Sequence, residues 1–127
     1  MFILKQKFSF EASHQLLHHQ GKCGRVHGHS WHGEFLVSAA TIRPFGPDKN
    51  MVMDFRDLKS GLDKIIHDKL DHHHLNDTLM TDSPTCEYVA EWLFDRLHEI
   101  FFTEGVVKLI SVQIMETCSS GVVYARD

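Results

Sequence analysis

The chain has 127 residues, a length suited to one domain with a substantial core. With 43% hydrophobic and 24% charged residues it reads as globular, and a net charge of −4 without any Lys/Arg block argues against a nucleic-acid surface or a polybasic membrane contact. The N-terminal stretch "MFILKQKFSFEASH" has no apolar run of signal-peptide length, and no segment approaches the roughly 18 apolar residues of a membrane span. The expected location is the cytoplasm, where the three cysteines Cys23, Cys86 and Cys118 are thiols rather than a disulfide and a spare.

The first element is a strand. In "FILKQKFSF" the even positions Phe2, Leu4, Phe8 and Phe10 are apolar, and Lys5, Lys7 and Ser9 alternate with them. If the extended chain continues, Ala12 and His14 share that apolar face. A second strand runs from about His27 to Ile42, with Trp31, Phe35, Val37 and Ala39 on its odd face. His27 and His29 are odd as well and stand at the start of that face.

Between these strands "HHQGKCGRV" reads as a Gly-containing loop. Such a hairpin brings His14, His27 and His29 together at one end of a sheet. Three imidazoles and an open fourth position form the ligand set of a catalytic zinc site, whereas structural sites are more often closed by thiolates. Cys23, four positions before His27, is either a fourth ligand or a free catalytic group, and the spacing accommodates both.

After the polar connection "TIRPFGPDKN", Asp54 is a candidate N-cap, and Phe55, Leu58, Leu62, Ile65 and Ile66 form a helical apolar stripe that should stop near Leu70. Asp71 and His72 follow it. A carboxylate beside an imidazole can orient the ring and stabilise its protonated form, although an isolated pair of this kind is more often simply solvated. A second helix opens at "SPT", with Ser83 as cap, Pro84 in the first turn and Glu87 complementing the dipole. Its stripe comprises Cys86, Val89, Leu93, Leu97, Ile100 and Phe101, with Gly105 as the stop.

The last third returns to strands. Val106, Ile110, Val112 and Ile114 are its apolar positions, and Glu116 falls on the even face of the last three. A carboxylate there is costly to bury unless something donates to it. The paired N–H edge of a pterin or a guanine would satisfy both oxygens; a solvated strand end would do so as well. "GVVYARD" reads as a closing strand. The order ββααββ packs most simply as an α+β fold, an antiparallel four-stranded sheet with two helices on one face, in a single domain over residues 1–127.

Six segments in this order, "FSFEASHQL", "CGRVHGHSW", "MVMDFRDLK", "LDHHHLN", "PTCEYVAEWL" and "VQIMET", resemble the 6-pyruvoyltetrahydropterin synthase superfamily over nearly the full length. The Cys-x-x-x-His-Gly-His spacing is most similar to its 6-carboxytetrahydropterin synthase branch. The resemblance implies a T-fold whose subunits join edge to edge into barrels, often hexamers, with active sites between subunits. It implies Zn²⁺ on His14, His27 and His29, Cys23 as general base, Asp71 and His72 as the partner proton-transfer pair, and Glu116 as pterin anchor. Thr85 and Glu87 match positions near the substrate. Tyr88 stands where the family often has Asn, and Cys118 closely follows Glu116, both local departures in the pocket.

The implied substrate is 7,8-dihydroneopterin triphosphate. The carboxy branch yields 6-carboxytetrahydropterin, acetaldehyde and triphosphate on the way to queuosine and other deazapurines. The pyruvoyl branch eliminates triphosphate and keeps the side chain. The residues also admit a non-catalytic module in which Cys23 completes a closed zinc site.

Overall fold

The computed structural model describes residues 1–101 and 105–126. Strands β1 (Phe2–His14) and β2 (His27–Ala39) pair antiparallel along their whole length, so that His14 lies opposite His27 and Ala12 opposite His29. Their alternation is the expected one. Phe8, Phe10, Ala12 and His14 of β1 and Trp31, Phe35, Val37 and Ala39 of β2 are buried, while Lys5, Lys7, Ser9, Ser30 and His32 are exposed on the other face. Full burial of an aromatic such as Phe35 contributes about 1.5–3 kcal/mol, which makes the register expensive to slip.

Helix α1 (Phe55–Ile65) is capped by Asp54, whose carboxylate accepts the Arg56 N–H. Leu58, Leu62 and Ile65 point into the core, whereas Phe55, expected in that stripe, is exposed at the helix entrance. The helix then widens into a π-type turn over Ile66–Leu70, closed by the Asp71 N–H donating to the Ile66 carbonyl. Wide turns of this kind recur at functional sites. His72 follows with φ of 58°, a left-handed backbone that swings the chain back toward β1.

That return creates a strand the sequence pattern does not reveal. β3 (His73–His74) lies parallel to Ala12 and Ser13 of β1, so among the described residues the sheet has five strands rather than four, in the order β3-β1-β2-β4-β5, and is mixed rather than purely antiparallel. Two residues are too few to display a period, and their pairing is set by tertiary position. A single-turn helix, α2 (Leu75–Thr78), follows.

Helix α3 (Cys86–Phe101) packs beside α1 on the same face of the sheet and contributes Val89, Leu93, Phe94 and Leu97 to one common core. Ile100, expected in its stripe, is exposed, and the Phe101 side chain lies outside the described residues. The cap is Thr85 rather than Ser83: its hydroxyl accepts the Tyr88 N–H and its carbonyl the Val89 N–H. Both are capping types, and the helix phase required by Val89 selects the later one.

Strand β4 (Lys108–Met115) joins β2, and β5 (Gly121–Ala125) closes the sheet. Val106, expected in β4, lies outside it and is exposed. The pairing of β4 steps from Leu36 opposite Ser111 to Val37 opposite Leu109, leaving Ile110 as an extra residue in a β-bulge. Leu109 therefore takes the core place expected of Ile110, and beyond the bulge the even residues Val112 and Ile114 face the core.

Candidate metal centre and active site

At the end of β1 and β2, His14, His27 and His29 converge with Glu116, each offering one donor atom, and these four atoms lie within 4.8 Å of one another. The ring centroids are 4.5 Å apart for His14 and His27, 5.1 Å for His14 and His29, and 4.9 Å for His27 and His29. Trp31, fully buried, meets the His14 and His29 rings edge-on and donates its indole N–H to the Ala12 carbonyl. It forms the apolar floor of the site.

Two main-chain carbonyls set the imidazole tautomers. His14 Nδ1 lies 2.9 Å from the Pro84 carbonyl and His27 Nδ1 lies 2.7 Å from that of Arg25. A carbonyl can only accept, so in both rings Nδ1 carries the proton and the Nε2 lone pair is left for a ligand bond. Burial holds the His14 imidazole below its ordinary value, opposed by the Pro84 hydrogen bond and by the Glu116 charge. The neutral ring is the metal-binding form.

The resulting arrangement fits a cation. His14 Nε2 and His29 Nε2 are buried without a hydrogen-bond partner among the described residues, although Glu116 Oε1 lies 3.0 and 3.4 Å from them. For His14 this sets a lone pair against a carboxylate oxygen, two acceptors facing each other. An unsatisfied buried polar atom costs about 1–3 kcal/mol, and a metal ion among these donors would satisfy the nitrogens and the carboxylate together. Glu116 thus stands closer to the metal centre than its place on the strand suggested.

Cys23 does not belong to that group of donor atoms. It is half-buried in a one-turn helix, Lys22–Gly24, with its carbonyl accepting the Leu16 N–H. Asp71 and His72 sit at the β1 edge: Asp71 Oδ1 accepts the Glu11 N–H at 2.8 Å, Asp71 Oδ2 lies 2.8 Å from His72 Nδ1, and the His72 N–H donates to the Glu11 carbonyl. The Glu11 amide first, and His72 second, hold the Asp71 carboxyl below its usual range. A cleft of about 470 Å³ has Glu11, Ala12 and Ser13 as its base, His29 on the β2 side and His72 on the β3 side.

Thr85 and Glu87 open α3, where Thr85 is occupied as the cap and Glu87 is exposed. Between them the Cys86 thiol, expected to be core, donates to the Ile114 carbonyl and is pushed up to about 11 by burial, then by the charges of Glu116 and Glu87. Sequence reasoning did not reveal the Pro84 and Arg25 carbonyls. A main-chain acceptor leaves no residue-type signal.

The α+β sheet and its three-imidazole cluster define a candidate metalloprotein, and comparison with known proteins identifies its kind. The family model described as 6-pyruvoyl tetrahydropterin synthase matches residues 3–127, and the chain belongs to that family. It is 47% identical over 124 residues to the 6-carboxy-5,6,7,8-tetrahydropterin synthase of Synechocystis sp., covering 98% of this chain and 93% of the relative. It is 31% identical over 140 residues to the enzyme of the same name from Haemophilus influenzae, covering 94% and 96%. Among solved structures, 6-pyruvoyl tetrahydropterin synthase of Caenorhabditis elegans superposes with a TM-score of 0.82 at 25% identity, over 99% of this chain and 96% of that one.

Proposed function

We propose that this chain is a zinc-dependent 6-carboxy-5,6,7,8-tetrahydropterin synthase. It converts 7,8-dihydroneopterin triphosphate to 6-carboxytetrahydropterin, acetaldehyde and triphosphate, a step toward queuosine and other deazapurines. The observation that carries the reading is the His14–His27–His29 cluster, with Cys23 outside it, in a chain 47% identical to an enzyme of that name.

His14, His27 and His29 would hold the zinc, which when bound would supply Lewis acidity toward the hydroxyls of the substrate side chain. Cys23 takes the proton from the adjacent carbon, a role that requires the thiolate. His72, fixed by Asp71 through Nδ1, keeps Nε2 for proton transfer at the other side of the substrate. Glu116 anchors the pterin, its carboxylate accepting the paired N–H groups of the ring edge. Thr85 and Glu87, at the start of α3, are assigned to the substrate by the family pattern alone. The reading places the chain in a reducing cytoplasm as a single domain of residues 1–127, with Cys23, Cys86 and Cys118 free.

The active unit is a homo-oligomer, a hexamer being favoured, with active sites between subunits. Two features support this. β3 covers β1 at Ala12 and Ser13, and among the described residues no strand pairs with the rest of that edge over Phe2–Phe10, which is open to another chain; the His72 side chain is 79% exposed.

Product analysis with 7,8-dihydroneopterin triphosphate tests the reading. Acetaldehyde release is the expected result. Triphosphate elimination with the side chain retained would instead assign the pyruvoyl reaction, the activity named for the nematode neighbour. Cys23→Ala tests the catalytic assignment against a closed zinc module: the enzyme reading predicts full zinc and lost activity, the module lost zinc and lost stability.

A further inference from the structure

We propose that Gln15 and Asn76 are positioning residues that hold the Cys23 loop in register with the metal centre. The inference rests on the reading of Cys23 as the proton acceptor. β1 ends at His14, so the peptide groups of Gln15 lie beyond the ladder with both neighbouring strands. The Asn76 side chain takes the place of the missing strand: its Oδ1 accepts the Gln15 N–H at 2.8 Å and its Nδ2 donates to the Gln15 carbonyl at 2.7 Å. This paired contact fixes the Gln15 backbone, and with it the direction of the Gln15 side chain.

From that fixed point the chain grips the loop twice. Gln15 Nε2 donates to the Gly24 carbonyl at 2.8 Å, and the Leu16 N–H donates to the Cys23 carbonyl at 2.9 Å. Consecutive residues past a metal ligand thus hold consecutive residues of the thiol loop. Gly24 has no room for a side chain, because a Cβ there would come within 2.5 Å of the His19 carbonyl, so the loop is also packed upon itself. Cys23, Gly24, Gln15 and Asn76 are all half-buried. A proton acceptor must sit close to the bond it attacks, and displacement by about 1 Å can cost roughly 100-fold in rate.

The test uses the zinc-loaded full chain, with steady-state kinetics on 7,8-dihydroneopterin triphosphate, zinc analysis, and iodoacetamide labelling of Cys23 followed by mass spectrometry. Gln15→Glu keeps the shape but sets an acceptor against the Gly24 carbonyl. It is expected to lower kcat about 10- to 100-fold with KM within about twofold and full zinc. Cys23 should then label at a rate altered by about threefold or more, since access governs thiol reactivity. Gln15→Lys, which restores a donor of similar reach, is expected to recover most of kcat. Asn76→Asp sets an acceptor against the Gln15 carbonyl and should lower kcat in the same manner; should it fail to fold, the Gln15 pair decides alone.

A wild-type kcat in Gln15→Glu, an equal loss in Gln15→Lys, or loss of zinc would each overturn the positioning role. Cys23→Ala separates the two ideas. An active Cys23→Ala defeats the reading of Cys23 itself, whereas an inactive Cys23→Ala beside a fully active Gln15→Glu defeats the positioning role only.

Discussion

The imidazole cluster and the Asp71–His72 pair hang from the same four residues of β1, Glu11 to His14, and are built in opposite ways. His14 is fully buried above Trp31, and the tautomers of His14 and His27 are set by carbonyls of their own chain. His72 is largely exposed, and its partner Asp71 is held by one main-chain amide at the sheet edge. The cluster is therefore complete within one chain. The pair faces outward, into a cleft that solvent fills unless another surface covers it, which accords with the proposed site between subunits.

The largest effect should come from the metal. Chelation, or His29→Ala in excess zinc, is expected to abolish turnover by more than the 10- to 100-fold typical of losing an outer-shell partner. Far-UV circular dichroism should persist, because the core of Phe35, Leu58, Leu93 and Val112 forms without the site. Unfolding on chelation would recast the cluster as a structural staple. Next in size, His72→Ala should lower kcat by about 10²- to 10⁴-fold while zinc content stays full. Loss of zinc in that variant would show that the two regions are not independent.

Glu116→Ala sharpens the contrast, because this carboxylate lies within reach of His14 and His29 and is also the proposed pterin anchor. Removing a charged hydrogen-bond acceptor should weaken pterin binding by about 1.5–3 kcal/mol, roughly 10- to 100-fold, with zinc in place. Loss of zinc with unchanged pterin affinity would make it a metal ligand instead.

The smallest effect concerns acid. Asp71 is held below its ordinary value of 3.8, so its contribution to stability is present above about pH 4 and fades as pH falls below that value. The wild type should lose more stability than Asp71→Asn as pH falls below that value. Parallel urea midpoints over that fall would remove Asp71 from its bond with Glu11.

Much of the site was legible because it obeys a period of two. Phe10, Ala12 and His14 share one face, as do His27, His29 and Trp31, and antiparallel pairing does the rest. The Asp54 cap and the buried Leu58 and Leu62 follow the helical period just as directly. What escaped was set by distant parts of the chain. The pair His73–His74 is too short to carry a pattern, the choice of Thr85 over Ser83 depends on the phase of α3, and the tie between Asn76 and Gln15 joins residues 61 positions apart. Spacing alone left Cys23 open between ligand and free thiol and the resemblance implied a general base; in the fold its sulfur is not among the clustered donor atoms.

The bulge at Ile110 has a consequence for how this family member can change length. Because Leu109 and Val112 both face the core, β4 carries one reversal of parity, and Glu116 inherits the parity that follows it. Deleting Ile110 while Leu109 keeps its place would restore plain alternation and leave Glu116 on the side of His14 and His29, whereas deleting Gln113 while Val112 keeps its place would turn Glu116 to the opposite face. A single-codon deletion beyond the bulge would then erase the carboxylate from the site without altering any residue in it, whereas a deletion at the bulge itself or in the 40–50 connection would leave that count untouched.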